Sequence, residues 1–255
     1  MIELRNIDKD FVVSKTETNH VLKNLSLTIN DGDFITLIGS NGSGKSTLLN
    51  TLAGSLKPTK GEIYFDGVNV SKLNDYQRAD LIGRVFQDPN LGTIGDISIE
   101  ENLAIAFKRG QKRTLSWALK KNNLALYQKY LTPLNLGLEG RLKEKMSSLS
   151  GGQRQAVTLL MATIRKPKLL LLDEHTAALD PKTSRKILSL TDNLIKDNQL
   201  TALMITHNMK DALKYGNRLL MLQEGRIIAD YSKEEKEKLS VDDLYQKFDE
   251  AEDLN

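Results

Sequence analysis

The residues with the clearest chemical potential in this sequence form a short loop rich in glycine and hydroxyl groups. The loop runs Gly39-Ser40-Asn41-Gly42-Ser43-Gly44-Lys45-Ser46 and continues into Thr47. It matches, at every fixed position, a pattern in which successive backbone N–H groups surround a phosphate. The lysine of this pattern reaches the β- and γ-phosphates, and the hydroxyl after it holds Mg²⁺. The sequence therefore predicts a protein that binds a nucleoside triphosphate together with Mg²⁺.

Further polar side chains follow three other apolar segments. Gln87 follows residues 81–86, Asp173 and Glu174 follow the leucine run 169–172, and His207 follows residues 201–205. Parallel strands that alternate with helices place their carboxyl ends, and the site they carry, at one edge of the sheet. We therefore predict that these four side chains lie beside the phosphate loop and form a site with it.

The segments around the loop have the composition needed to position it. Phe34–Ile38 is an apolar run of strand length, and residues 46–53 carry apolar side chains at helical spacing before Gly54. Residues 2–30 and the hairpin 62–70 alternate as strands do, which predicts an antiparallel layer in the first third of the chain. From about residue 88 to 165 the periodicity is helical, and Ser98 with Glu101 forms a capping-box pattern.

Composition and charge limit the classes of function. The chain has 255 residues, a formal net charge of +3 and no cysteine. A mildly basic, mixed surface does not demand a nucleic acid or an anionic membrane as partner. We expect no signal peptide, and the apolar runs are shorter than a bilayer requires, so any membrane role would come through a partner.

Three less informative segments carry structural expectations. We predict a polar loop at residues 14–20 and a solvated basic connector at Lys108–Arg113. A helical lobe is predicted to bury Trp117, Leu119, Leu124, Leu126, Tyr127 and Leu131. In the tail, Val241, Leu244, Tyr245 and Phe248 share one face of a predicted helix that docks on the core of the chain.

A second loop suited to anions lies at Leu149-Ser150-Gly151-Gly152-Gln153. Ser150 and the paired glycine N–H groups begin a helix whose dipole favours negative charge. This loop resembles the signature of the ATP-binding cassette (ABC) family, and it stands between the helical lobe and the acidic strand, as in that family. The resemblance implies an α/β fold: a RecA-like P-loop core with an antiparallel β layer and an inserted α-helical lobe. It implies one domain over 1–230, with the lobe at about 88–165, and a short helical, acidic tail over 231–255.

The resemblance also implies a role for each motif residue. Phe11 would stack on adenine, and Gln87 would sense Mg²⁺ and the attacking water. Asp173 would hold Mg²⁺ with Ser46, Glu174 would be the general base, and His207 would contact the γ-phosphate. In the family two subunits meet head to tail. Ser150, Gly151, Gly152, Gln153 and the D-loop residue Asp180 would thus act across the dimer interface.

Two positions depart from the usual pattern of the family. His175 stands where a proline is common after the glutamate, and Ala177 replaces a common serine. The carboxylate of Glu174 is retained, so we expect activity to be retained as well. We predict that His175 shapes the loop without acting as an acid or base, and that His175→Pro keeps its turnover.

A narrower resemblance concerns residues 83–89, 91–93 and 173–181, which are similar to ATPases of bacterial importers. Those ATPases work with a periplasmic-type or lipoprotein binding protein, and some are linked to tryptophan or other aromatic amino acids. The implied protein is an ATP-hydrolysing homodimer that drives separate membrane permease subunits from the cytoplasmic face and binds no nucleic acid. The alternatives are a soluble ABC-type ATPase acting on DNA or ribosomes and a nucleotide-binding module without turnover.

Overall fold

The computed structural model describes residues 1–14, 16–110 and 124–252. The chain divides into two compact units, one formed by Met1–Arg78 with Leu200–Asn255 and the other by Ala79–Gln199. Trp117, Leu119 and the end of the basic run Lys108–Arg113 lie outside the described residues. The predicted boundaries at residues 88, 165 and 230 stay predictions.

Ten strands and nine α-helices occur in the described part of the chain. The strands are β1 (Ile2–Val12), β2 (Thr18–Ile29), β3 (Phe34–Gly39), β4 (Lys60–Phe65), β5 (Val68–Asn69), β6 (Ile82–Val85), β7 (Leu169–Asp173), β8 (Ala202–Ile205), β9 (Arg218–Gln223) and β10 (Arg226–Tyr231). The helices are α1 (Lys45–Ala53), α2 (Asp75–Arg78), α3 (Ile99–Phe107), α4 (Leu124–Leu131), α5 (Gly151–Thr163), α6 (Pro181–Asn198), α7 (Met209–Lys214), α8 (Lys233–Lys236) and α9 (Val241–Glu252). No described helix is both long enough and apolar enough to cross a bilayer.

The first unit contains an antiparallel sheet and a set of parallel strands. The antiparallel strands follow the order β2-β1-β4-β5, which is the predicted layer of the first third. Strand β3 pairs in parallel with both β8 and β9, and β10 lies antiparallel on β9. Residues 34–38 of β3 are all buried, as expected for a parallel strand covered on both faces. Strand β3 therefore delivers the phosphate loop from the centre of a buried layer.

The second unit combines a parallel strand pair, β6 and β7, with helices α3 to α6. Ser98 caps α3 and forms the predicted capping box with Glu101. Tyr127 and Leu131 of α4 are buried in the apolar core that α3 and α5 also line. We predict Leu126 to be buried there, but its side chain is 38% exposed, because it lies about 100° around the α4 helix from the buried Tyr127. The helical lobe thus has its own core.

The tail and one loop differ in detail from the expectation. Strand β2 begins at Thr18, so the predicted loop at 14–20 is shorter and His20 lies on the strand, beside Asp10. Helix α9 docks through Leu244, which is fully buried, and through Phe248. Tyr245 is 55% exposed and does not share the buried face, because one residue advances the helix by about 100°. The structure also contains the short helix α8 between β10 and α9. The sequence did not predict this helix, because its residues form a run of charges.

Candidate functional site

The phosphate loop connects β3 to α1 in the first unit. Gly44 is the N-cap of α1 with φ 104°, a backbone conformation that side-chain-bearing residues rarely adopt. Its carbonyl accepts the first helical hydrogen bond from the Leu48 N–H at 2.8 Å. Neighbouring elements support the loop, since Gly225 N–H, in the turn between β9 and β10, donates to Ser43 O at 2.9 Å. The glycine-rich sequence therefore forms a preorganised turn at a helix N-terminus.

Lys45 projects its ammonium group across this turn. The side chain is only 6% exposed, and Nζ donates to Gly39 O and Ser40 O at 2.8 Å each. A cation held by two backbone carbonyls inside a loop of N–H donors attracts anions. Ser40, Asn41, Gly42 and Ser46 are exposed to solvent at the same turn. A buried cation with an accessible rim is the arrangement that a phosphate chain requires.

The phosphate loop offers donor groups that fit the phosphates of a nucleotide. The Ser43 hydroxyl is buried and has no hydrogen-bond partner within the described residues, so an oxygen of a bound phosphate can satisfy it. Ser46 presents a hydroxyl in the first turn of α1. The predicted Mg²⁺ ligands Ser46, Gln87 and Asp173 include a single carboxylate. That set suits Mg²⁺, which keeps several waters and binds through one or two carboxylates together with substrate phosphates.

His207 lies at the same sheet edge as the phosphate loop. In the parallel pairing of β3 with β8, Leu37 is opposite Ile205, so the residues two positions later are Gly39 and His207. The Thr206 N–H donates to Leu37 O at 3.2 Å and extends this pairing beyond β8. The His207 side chain is exposed. Within the first unit, the structure therefore brings this predicted site residue to the loop.

Gln87, Asp173 and Glu174 lie together at one edge of the second unit. Strands β6 and β7 are parallel with Val85 opposite Leu172, so Gln87 and Glu174 both follow the same end of the pair. The Asp173 carboxylate lies 3.7 Å from the Arg84 guanidinium, which also covers the Phe86 ring. An arginine beside this carboxylate was not expected from the sequence. The unit thus presents an amide and two carboxylates at one strand end.

The backbone at Glu174 adopts an unusual conformation. Its φ of 43° lies in the left-handed region, which non-glycine residues seldom occupy and which is often found at functional sites. The next residue, His175, is 2% exposed, and its Nε2 lies 2.9 Å from Thr191 Oγ1 in α6. The Thr191 hydroxyl donates to Ile187 O, so it accepts from Nε2–H. Burial lowers the pKa of His175 to about 4, which keeps the ring neutral at physiological pH.

The second anion loop forms the N-terminus of α5. The Ser150 Oγ accepts from the Gln153 N–H, while Gln153 Oε1 accepts from the Ser150 N–H, which makes a capping box. The Ser150 hydroxyl hydrogen and the N–H groups of Gly151 and Gly152 remain able to donate to an anion. Asp180 caps α6 by accepting from Lys182 and Thr183 N–H, and hydrogen bonding with Thr183 lowers its pKa.

Phe11 and Gln155 complete the description of the site residues. Phe11 is on β1, is 36% exposed and has the Lys9 Nζ 5.0 Å from its ring centroid, so it is not a core residue.

Gln155 was not predicted from the sequence. It is fully buried in α5, and its Nε2 donates to Phe86 O at 3.2 Å, next to Gln87. The one indication of this contact in the sequence was that Gln155 stands two residues after Gln153.

Comparisons with known proteins show what this chain is similar to. The sequence profile of the ABC transporter family matches residues 22–177. A tyrosine transport ATP-binding protein of Clostridioides difficile (strain R20291) is 44% identical over 253 residues, covering 98% of this chain and 100% of that protein. The methionine import ATP-binding protein MetN of Streptococcus agalactiae (serotype III, strain NEM316) is 35% identical over 241 residues, covering 91% of this chain and 64% of that protein.

A solved structure shows the same fold. It is the dimeric, post-hydrolysis state of an ATP-binding cassette bound to ADP and Pi. The TM-score is 0.76 at 32% sequence identity, and the match covers 91% of this chain and 99% of that one. The antiparallel strands, the parallel strands and the helical lobe described above therefore have a counterpart whose bound products are those of ATP hydrolysis.

Proposed function

Because this chain belongs to the ABC transporter family, we propose that it is the ATP-hydrolysing subunit of an importer for an aromatic amino acid, with tyrosine as the first candidate. The family, the cassette fold and the ATP hydrolase activity predicted from the sequence are confirmed. The direction of transport, the cargo and the assembly belong to the proposal.

The observation that supports tyrosine as the cargo is the similarity to the tyrosine transport ATP-binding protein. That similarity is 44% identity across 98% of this chain and the whole of the relative, so it includes the tail beyond the family profile. The methionine import protein supports an amino-acid cargo at lower identity. Neither relative is named for an action on DNA or ribosomes, and we do not propose that alternative.

The proposed mechanism assigns one task to each group of side chains. Lys45 and the loop N–H donors hold the β- and γ-phosphates and oppose the charge that develops on the transferred phosphoryl group. Glu174 accepts a proton from the attacking water, and His207 orients the γ-phosphate. Mg²⁺, held by Ser46, Asp173 and Gln87, supplies further charge neutralisation when bound. Phe11 supports the adenine ring through its exposed face.

The proposed assembly is a head-to-tail homodimer around two ATP molecules. Ser150, Gly151, Gly152 and Gln153 of one subunit would complete the phosphate loop of the other, and Asp180 would contact the partner near that site. ATP binding closes the dimer, and hydrolysis with phosphate release opens it. Separate permease subunits at the cytoplasmic face of the membrane receive this motion, and an extracytoplasmic binding protein delivers the cargo.

Uptake of labelled amino acids tests the cargo. Deleting the gene should remove most uptake of labelled tyrosine, and the wild-type gene should restore it. A gene with Lys45→Ala should fail to restore uptake, because the phosphate loop loses its cation. The control Lys57→Ala changes an exposed lysine just beyond α1 and should restore uptake fully. Unchanged tyrosine uptake in the deletion strain would remove tyrosine as cargo, and labelled tryptophan and methionine test the next candidates.

A further inference from the structure

Lys236 in the tail is buried in a way that the charge pattern of its neighbours does not suggest. It belongs to α8, in a run of charged residues, yet only 3% of its surface is exposed. Within the described part of the chain it forms no ion pair with a carboxylate. Burial lowers the pKa of Lys236 to about 8, so the ammonium form is costly at this position. The cost of burying the Lys236 ammonium group must therefore be compensated by its hydrogen bonds.

The hydrogen bonds of Lys236 converge on the end of α7 and on β3. Nζ donates to Tyr215 O and to Gly216 O, the latter at 3.3 Å, immediately after the last turn of α7. A cation at a helix C-terminus is favoured by the helix dipole and satisfies carbonyls that have no helical partner. Nζ also donates to Thr36 Oγ1 at 3.2 Å, in the middle of β3. One side chain therefore joins the tail to β3, 200 residues away in sequence, and to the end of α7, 21 residues away.

The turn that Lys236 holds is already packed tightly against β3. Gly216 has φ 75°, and a Cβ at this residue would lie 2.2 Å from Phe34 O, so only glycine fits. Asn217 N–H donates to the same Phe34 carbonyl at 2.9 Å. Thr36 Oγ1 in turn donates to Ala212 O of α7 at 2.9 Å. Lys236 thus closes a buried network between α7, β3 and the tail.

Two elements of this network, α7 and β3, are directly connected in sequence to His207 and to the phosphate loop. Helix α7 is capped by Asn208, the residue after His207, so a shift of α7 moves His207. Strand β3 ends at Gly39, the first residue of the phosphate loop. Leu244 of α9 packs in the same apolar cluster as Ile38 of β3 and Ala212 of α7, so the tail contacts both elements a second time.

We propose that Lys236 is a positioning residue that fastens the tail across α7 and β3 and so holds His207 in register with the phosphate loop. This inference rests on the proposed catalytic role of His207. It assigns the tail a part in ATP turnover, although residues 233–252 lie beyond the segment matched by the family profile.

Lys236→Met tests the proposal, since it keeps the apolar stem of the side chain and removes the three hydrogen bonds. We expect kcat for ATP to fall by about three- to thirtyfold, the size of effect that a residue coupled to a site through packing can have. The Kd for ATP should change by less than about twofold, because binding depends on the loop and the variant does not alter it. Lys233→Met is the control, since Lys233 lies on the same short helix with an exposed side chain.

A second pair of measurements separates positioning from stability. Thr36→Val removes the acceptor on β3 and also the hydrogen bonds from Thr36 to Ala212 O and Arg218 O. Combining it with Lys236→Met should lower kcat by less than the product of the two single effects. Amide hydrogen exchange should quicken at residues 206–217 in Lys236→Met and stay unchanged in Lys233→Met. A lower melting temperature with wild-type kcat and wild-type exchange would overturn the proposal. Wild-type kcat in His207→Ala would instead overturn the function proposed for His207, while the exchange result still decides what Lys236 holds.

Discussion

At the scale of single residues, the neighbours Glu174 and His175 have opposite environments. Glu174 is partly exposed with a strained backbone, whereas His175 is enclosed and bonded to Thr191. The neutral ring anchors the peptide next to the proposed base to the middle of α6. That arrangement agrees with the prediction that His175 shapes the loop. It also implies that His175→Pro, while free of any direct effect on chemistry, loses a buried hydrogen bond and lowers stability.

The buried histidine predicts a pH dependence of stability. The pKa of His175 in the folded state is about 4, below the value of about 6.5 for an unfolded chain. The unfolded state therefore binds more protons between these values, and stability is present above pH 6.5 and lost as pH falls toward 4. Between pH 7.5 and pH 5 we expect the wild type to lose about 2 kcal/mol more than His175→Gln, which cannot titrate.

Urea unfolding of both proteins at the two pH values measures this difference. Other groups titrate equally in the two proteins, so they cancel in the comparison. Equal losses for wild type and His175→Gln would mean that the ring is accessible to protons in the folded state.

At the scale of elements, α1 carries the phosphate loop at one end and is held at the other by Arg78. This arginine is fully buried, and its guanidinium donates to Thr51 O and Leu52 O of α1 at 2.9 and 2.7 Å. It also donates to Val70 O at 2.7 Å, after β5. Burial lowers the pKa of Arg78 to about 10, which leaves it charged at neutral pH. The helix that presents the loop is therefore fixed by a side chain outside every recognised motif.

We predict that Arg78→Met lowers the free energy of unfolding by about 3 kcal/mol or more, because it leaves several buried carbonyls without a donor. Arg226→Met, at an exposed arginine on β10, should change it by less than about 0.5 kcal/mol. Urea midpoints with unchanged m-values measure both effects. A loss for Arg78→Met no larger than that of the control would show that water replaces the guanidinium at these carbonyls.

At the scale of the whole molecule, the proposed shared site makes the oligomeric state depend on the nucleotide. Glu174→Gln retains the shape of the side chain and removes the base, which slows chemistry by roughly 10²–10⁴-fold. The ATP-bound dimer should then persist, so this variant is expected to elute as a dimer with ATP and Mg²⁺ and as a monomer with ADP.

Adding Ser150→Arg should abolish that dimer while ATP still binds to the monomer, because the new side chain obstructs only the phosphate of the partner. The loss of the Ser150 cap costs about 1 kcal/mol, so circular dichroism should confirm that α5 remains folded. Ser189→Arg, at an exposed serine of α6, is the control and should dimerise normally. A Glu174→Gln protein that stays monomeric with ATP, alone and with the permease present, would contradict the shared site.

Features that depend on local interactions could be predicted from the sequence. A phosphate loop, a capping box such as Ser98 with Glu101, and an apolar run such as residues 34–38 each depend on neighbours within a few residues. The polar residues at strand ends were also readable, because parallel strands share an edge. The observed pairings place Gln87 with Glu174 and His207 with Gly39, as that rule requires.

The buried contacts of Lys236, Arg78 and His175 could be found only in the tertiary structure. Their partners lie 200, 27 and 16 residues away, and no local pattern distinguishes a buried charged side chain from one in solvent. In water such side chains are solvated and contribute little to the stability of the fold. When they are buried, every donor or acceptor without a hydrogen-bond partner lowers that stability. The long-range packing that buries them therefore turns ordinary polar residues into contacts that fix α1, the segment after β7 and the end of α7.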